Sequence, residues 1–198
     1  VEDKQLTVEQ IDSMVSNILR IKFQLGLFEN PVYEQRAVPV SIHQELVKEA
    51  ALQSIVLLKN NNNILPLDKE KNSSIAVIGP MADEPNEQLG TWVFDGDPEL
   101  SNTPLDALRA FVGDATAIRH VRALDSTRSN STEHFAEAVE AVKESDVALL
   151  FLGEESILTG EAHCRADISL PGNQEQLITE LHGTGTPIVL VLMTGRPI

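Results

Sequence analysis

The sequence predicts an α/β protein with a mostly parallel sheet and helices on both faces. Three apolar runs, at residues 75–78, 147–152 and 188–193, have the length and aliphatic character of buried strands. Amphipathic helical segments lie between them, and strands joined by helical crossovers are typical of a parallel sheet. Sheets of this kind place their ligand crevices at the carboxyl ends of the strands.

Two helices are predicted ahead of the first strand. Residues 7–25 have helical apolar spacing, with Thr7 as the N-cap. A polar stretch with two prolines follows and is interpreted as a linker, and a second helix is predicted over residues 41–58 with Ser41 as its N-cap. The predicted organisation is a helix of a preceding domain over residues 1–28, a linker over residues 29–39 and an α/β domain over residues 40–198.

The remainder of the chain alternates between strands and helices. Because the last strand is followed by only a few residues, an unfinished sheet edge is expected there, which favours a piece of a larger protein. The predicted elements are a strand at 75–78, a helix at 104–111, a strand at 117–121, a helix at 132–143, a strand at 147–152, a helix at 173–181 and a strand at 188–193.

A long polar loop follows the strand at residues 147–152. Loops of this length inside an α/β unit are more often functional than idle, and this one leaves the carboxyl end of a strand. Any chemistry of the chain is therefore expected in this loop. Its titratable residues are Glu154, Glu155, Glu161, His163, Arg165 and Asp167.

Composition and charge exclude several functional classes. The 30 acidic residues against 15 basic ones argue against binding to a nucleic-acid backbone. A single cysteine, Cys164, excludes an internal disulfide and a multi-cysteine metal site. No apolar run approaches the roughly 20 residues of a membrane-spanning helix. Gly79-Pro80 lacks the glycine spacing of a phosphate-binding loop, and the residues call for no metal and no cofactor.

Two loop residues are candidates for sugar chemistry on their residue types alone. Glu161 lies in a glycine-flanked, partly apolar segment, where desolvation would raise the pKa of its carboxyl and suit it for general acid catalysis. Trp92 lies in the loop after the first strand, where its ring can stack on a sugar. The alternatives are an ordinary exposed glutamate and a tryptophan that fills a gap between domains.

Six segments, in order along nearly the whole chain, resemble the family 3 glycoside hydrolases, the β-glucosidase-like enzymes. The sharpest are VLLKN…LPL and VLVLM.GRP. The others are LRIKFQLGLFENP, IAVIGPMAD, LGTWVFDGD and DVALLFLGEE…GEAHCRADISLP.

The resemblance implies roles for particular residues. Glu161 falls where periplasmic β-glucosidases of the family carry the acid/base, within HEA..R.D, which here reads GEA..R.D with Gly160 in place of the histidine. Trp92 matches a loop that lines the leaving-group subsite, and Arg165 and Asp167 match positions to which we assign a supporting role in the loop.

The resemblance also implies the activity and partners of the intact protein. It predicts a retaining exo-β-glycosidase acting on a β-glucoside or oligosaccharide, in the periplasm or secreted. An N-terminal (β/α)₈ barrel, whose last helix would be residues 1–28, would supply an aspartate nucleophile, so the chain alone is expected to be inactive. The alternative is a non-catalytic structural or carbohydrate-binding module. A flavodoxin-like or receiver-like signalling domain would also fit the sheet, but its acidic cluster after the first strand is missing.

Overall fold

The computed structural model describes residues 6–31 and 43–198, so most of the predicted linker and the predicted N-cap Ser41 lie outside the described residues. No helix in these two ranges is long and apolar enough to cross a membrane. The helices are α1 (Val8–Gln24), α2 (Gln44–Ser54), α3 (Pro104–Val112), α4 (Phe135–Lys143) and α5 (Gln174–His182), and the strands are β1 (Ser74–Ile78), β2 (Ala117–Val121), β3 (Val147–Gly153) and β4 (Ile188–Met193).

The chain divides into two compact units, Val1–Leu58 and Lys59–Ile198. In the first unit, α1 begins with a complete capping box, in which the Thr7 hydroxyl accepts from the Gln10 amide and the Gln10 side chain accepts from the Thr7 amide. Helix α2 ends at Ser54, four residues earlier than predicted, and Ile55 is extended. Neighbouring β-branched Ile55 and Val56 lose side-chain freedom in a helix, which favours the extended backbone.

The second unit contains a four-stranded parallel sheet with the order β2-β1-β3-β4. Strand β1 pairs with β2 from Ser74 opposite Ala117 and with β3 from Ile75 opposite Val147. Strand β4 pairs with β3 and continues to Gly153 opposite Met193. The predicted parallel sheet is confirmed, and the bounds of β2 and β4 are those predicted.

Helices cover both faces of the sheet, as predicted. Alternate strand residues point to opposite faces, so each strand contributes to two separate cores. Helices α4 and α5 pack on Ala76, Ile78, Val121, Ala148, Leu150 and Leu152. Helix α3 packs through Leu105 on the other face, against Ile75, Val77, Val147 and Leu149.

The direction of winding reverses between β1 and β3. From β1 the chain moves outward to β2, and it then returns across β1 to form β3 and β4. The carboxyl ends of β1 and β3 therefore flank the switch point at which open α/β sheets form ligand crevices. Two loops leave this point, and we name residues 79–103 the β1 loop and residues 154–173 the β3 loop.

Glycine is required where β3 enters the β3 loop. Gly153 has φ +146°, and a Cβ there would lie 1.9 Å from the Met193 carbonyl oxygen. Any side chain at this position would collide with the backbone of β4 while also occupying an unfavourable region of φ/ψ space. The tight fit brings the first residue of the β3 loop against the end of β4.

The fully buried side chain of Gln174 joins the two ends of the β3 loop. Its Oε1 accepts from the Gly153 amide at 2.8 Å. Its Nε2 donates to the carbonyls of Gly153 at 2.8 Å and Pro171 at 3.0 Å, and to that of Thr127 at 2.9 Å. A single side-chain amide therefore satisfies four backbone groups, three of them in buried hydrogen bonds.

We expect Gln174→Ala to lower the free energy of unfolding by about 1–3 kcal/mol, because it leaves buried backbone groups without a partner. Urea unfolding followed by circular dichroism measures this change. The matched control is Gln176→Ala on the same helix, whose exposed side chain donates to the exposed Glu180 carboxylate. Equal losses for the two variants would contradict a special role for Gln174.

Candidate active site

The β1 and β3 loops contact each other beyond the carboxyl edge of the sheet. The Thr91 hydroxyl donates to the Thr159 carbonyl oxygen at 3.0 Å. The Ser156 amide donates to a Glu87 carboxylate oxygen. These bonds connect residues far apart in the sequence, so the loop that carries Trp92 and the loop that carries Glu161 form one surface.

Trp92 and Glu161 are the next residues in the sequence after Thr91 and Gly160, which contact each other. Thr91 precedes Trp92, and it packs so closely against Gly160 that a Cβ on the glycine would lie 2.9 Å from the Thr91 hydroxyl oxygen. Trp92 is 63% exposed, and Glu161 is also exposed. The desolvation expected for Glu161 is therefore not provided by the described residues of this chain.

Glu161 lies in a turn of unusual backbone geometry. Gly160 has φ +102° and Ala162 has φ +64°. The His163 amide donates to the Gly160 carbonyl oxygen at 3.2 Å and closes the turn. The backbone at Gly160 and the adjacent Thr91 leave no room for a histidine side chain without rearrangement, which gives a physical reason for glycine at this position.

A buried carboxylate lies at the base of the β3 loop. The Glu154 side chain is 0% exposed and contacts three others. Its Oε1 accepts from Arg165 Nη1 at 2.5 Å, and its Oε2 accepts from the Thr194 hydroxyl at 2.7 Å and lies 3.3 Å from Arg196 Nε. We name Glu154, Arg165, Thr194 and Arg196 the Glu154 cluster.

The two arginines keep Glu154 ionised. Burial raises the pKa of the Glu154 carboxyl, but the hydrogen bonds from Thr194 and Arg165 and the positive charges of Arg196 and Arg165 outweigh burial and hold the pKa below its usual value. The arginine side chains are only 16% and 20% exposed, so the ion pairs are poorly screened by solvent.

The arginines of the cluster also bind carbonyl oxygens of the β3 loop. Arg165 Nη2 donates to Ser169 at 3.0 Å. Arg196 Nη2 donates to Leu158 at 2.5 Å and to His163 at 3.3 Å. The cluster therefore connects the loop to the end of β4.

Asp167, the fourth predicted site residue, bonds within its own loop. Its Oδ1 accepts from the Ser169 amide at 2.9 Å. That backbone hydrogen bond is the main cause of a pKa below the usual value, with a smaller contribution from the charge of Arg165. Both Asp167 and Arg165 thus contact Ser169.

A separate cavity of about 240 Å³ lies at the same edge of the sheet. Neither Trp92 nor Glu161 lines it. Its glutamates have partners, since Glu84 pairs with Arg122, and Glu155 accepts from Thr127 and Arg128. The lining residues are Pro80, Met81, Glu84, Glu87, Arg122, Ser126, Thr127 and Glu155.

Within residues 6–31 and 43–198, no group of three or more histidine, cysteine, aspartate or glutamate side chains is placed to hold a metal ion. Cys164 is exposed, and His163 Nδ1 contacts the Ile157 carbonyl oxygen.

Sequence reasoning missed Gln174 and Arg196 as residues that organise the site, and it named Glu154 only as one of the titratable residues of the loop. A carboxylate directly after an apolar strand was a usable signal, because it implies a charge close to the core that needs a partner. No local pattern predicts which partners it has. Arg196 and Thr194 come from the end of a different strand, 40 or more residues away along the chain.

Comparisons with known proteins agree with this architecture. The model of the glycosyl hydrolase family 3 C-terminal domain matches residues 55–198. A β-xylosidase of Formosa agariphila is 38% identical over 199 aligned residues, covering 96% of this chain and 27% of the relative. A periplasmic β-glucosidase of Salmonella typhimurium is 32% identical, covering 100% of this chain and 29% of the relative.

Solved structures show the same fold. A β-glucosidase from Listeria innocua in complex with glucose has a TM-score of 0.79 at 32% identity, covering 100% of this chain and 26% of that one. A β-glucosidase involved in saponin metabolism from intestinal bacteria has a TM-score of 0.81 at 28% identity, covering 99% and 31%. The chain thus spans less than a third of the length of these relatives. The chain belongs to glycosyl hydrolase family 3, and residues 55–198 match the C-terminal domain of that family.

Proposed function

We propose that this chain is part of a retaining exo-β-glycosidase that hydrolyses terminal β-D-glycosides, with Glu161 as the general acid/base. The observation that carries the proposal is the position of Glu161 at the switch point of the sheet, exposed and in a turn that contacts the loop of Trp92. The nucleophile is an aspartate of a (β/α)₈ barrel domain outside these residues.

Glu161 transfers one proton in each of the two steps of the reaction. The aspartate attacks the anomeric carbon while the Glu161 carboxyl donates its proton to the departing glycosidic oxygen. The Glu161 carboxylate then takes a proton from water, whose oxygen bonds to the anomeric carbon and releases the aspartate. Retention requires the two carboxyl groups to lie about 5–5.5 Å apart. An acid/base that comes from a second domain must therefore lie on the surface of that domain, where it can approach the aspartate of the barrel.

Trp92, Arg165 and Asp167 complete the proposed site. The exposed indole offers a flat apolar face to the leaving group. Arg165 and Asp167 support the loop through their shared neighbour Ser169. Relatives named β-xylosidase and β-glucosidase support a β-glycosidase, and the name of the periplasmic β-glucosidase supports a periplasmic or secreted location.

Azide rescue tests the role of Glu161. In the protein that joins this chain to its barrel, we expect Glu161→Ala to lower kcat for 2,4-dinitrophenyl β-glucoside, because the glycosyl-enzyme still forms but is hydrolysed slowly without a general base, and we expect azide to restore kcat. A small anion enters the space of the missing side chain and attacks the glycosyl-enzyme without needing a general base. The product is a β-glucosyl azide, detected by mass spectrometry and nuclear magnetic resonance.

Two controls accompany the rescue. This chain purified without the barrel is expected to show no turnover, since it lacks the nucleophile. An alanine variant as active as the wild type would contradict the proposal and favour a structural or carbohydrate-binding role for the domain.

A further inference from the structure

One guanidinium bonds both sides of the Glu161 turn. Arg196 Nη2 donates to the Leu158 carbonyl oxygen, three residues before Glu161, and to the His163 carbonyl oxygen, two residues after it. Arg196 follows β4, so these bonds define the position of the turn relative to the sheet. The positive φ of Ala162 inside the turn also needs support from surrounding structure.

Arg196 is itself held by a buried anion. Its Nε lies 3.3 Å from Oε2 of Glu154, whose side chain is fully buried. The Thr194 hydroxyl donates to the same oxygen at 2.7 Å, and Thr194 Oγ1 also accepts from the Arg196 amide at 3.2 Å. Because a guanidinium is planar with several fixed donors, it can serve the carboxylate and the carbonyls together.

We infer that Arg196, oriented by Glu154, is a positioning residue for the acid/base Glu161. The inference rests on the proposed function. Arg196 does not touch the reacting atoms. Its bonds fix the position of the turn, and this position places the Glu161 carboxyl within reach of the leaving oxygen. A displacement of about 1 Å in a catalytic group lowers the rate by roughly 10²-fold, so small movements of this turn have large effects.

Arg196→Lys in the protein with its barrel tests the inference. Lysine keeps the charge beside Glu154, but its compact ammonium lacks the separate Nε and Nη2 donors that bind the carboxylate and the two carbonyls at the same time. We expect kcat/KM for phenyl β-glucoside, which needs protonation of the leaving group, to fall by about 10–10²-fold. For 2,4-dinitrophenyl β-glucoside, whose leaving group departs without a proton, kcat/KM is expected to fall by less than about 3-fold.

The ratio of the two kcat/KM values is measured on one sample and is independent of the folded fraction. A purely structural role would lower both values equally. Thr194→Val removes the hydroxyl bond to Glu154 and leaves the charges of Glu154 and Arg196 in place. It is expected to shift the ratio in the same direction by a smaller factor. Hydrogen–deuterium exchange over residues 157–165 is expected to accelerate in both variants.

Arg128→Lys is the matched control, because Arg128 pairs with Glu155 on the same edge of the sheet and is 55% exposed. Its substrate ratio is expected to stay at the wild-type value. An unchanged ratio in Arg196→Lys and Thr194→Val, beside a changed ratio in Glu161→Gln, would overturn the positioning role alone. If Glu161→Gln also keeps the wild-type ratio, the acid/base assignment fails and the positioning role fails with it.

Discussion

Glu161→Gln in the protein with its barrel is expected to lower kcat/KM for phenyl β-glucoside by about 10²–10⁴-fold, the usual contribution of a general acid. Glutamine preserves the size of the side chain and removes the proton that the departing oxygen needs. The activated 2,4-dinitrophenyl β-glucoside should keep most of its kcat/KM, because its phenolate departs unprotonated. Steady-state kinetics with a series of aryl β-glucosides measures the dependence on leaving-group pKa.

The control is Glu180→Gln, an exposed glutamate in the last turn of α5 that bonds Gln176. It makes the same chemical change far from the switch point and should leave both substrates unaffected. A Glu161→Gln variant that loses the same factor on every leaving group would contradict general acid catalysis and return Glu161 to an ordinary loop residue.

Glu154→Gln is expected to destabilise the domain by about 3–5 kcal/mol at pH 7, the cost of breaking a buried ion pair from one side. The substitution leaves the guanidiniums of Arg165 and Arg196 close together without their anion. Urea unfolding monitored by circular dichroism gives the difference from the wild type. Glu144→Gln is the control, since its pair with Arg119 is 65% exposed on the glutamate side and should contribute about 0–1 kcal/mol.

The stability difference between the wild type and Glu154→Gln should depend on pH. The pKa of Glu154 is lower in the folded protein than its ordinary value of 4.5. The ion pairs therefore contribute fully above pH 4.5, and the contribution is lost as the pH falls through the lower folded pKa. The two unfolding curves should converge in acid, and a gap of constant size from pH 7 down to pH 3 would show that charge is not its cause.

Local sequence patterns predicted β1, β3 and β4, because a buried strand is marked by a run of consecutive aliphatic residues. Ile75 to Ile78, Val147 to Leu152 and Ile188 to Met193 are continuous aliphatic runs, and burial on both faces of a parallel sheet requires that pattern. Polar residues and prolines between the helices likewise mark where elements end. The exceptions are residues 55–58, where apolar periodicity suggested helix but the structure is extended at Ile55, and residues 132–134, which were predicted as helix although α4 begins at Phe135.

Residue types together with the family resemblance also indicated which two loops form the candidate site. Trp92 and Glu161 were proposed as site residues before any spatial information, and their loops do meet, through Thr91 and Gly160. The sequence did not predict that both side chains are exposed in this chain. The exposure of these two side chains depends on which other residues pack over them, and the tertiary structure determines that packing.

The sequence by itself determined the order of strands and helices, the long polar loop after β3 and the candidate acid/base within it. Only the tertiary structure decided which charges meet at the base of that loop. Glu154 and Arg196 follow the ends of the neighbouring strands β3 and β4, and their pairing depends on the parallel register that aligns Gly153 with Met193, while Arg165 joins them from within the β3 loop. A buried carboxylate is unfavourable unless it is paired with a cation, and the arrangement of the strands determines which cations lie close enough to pair with it.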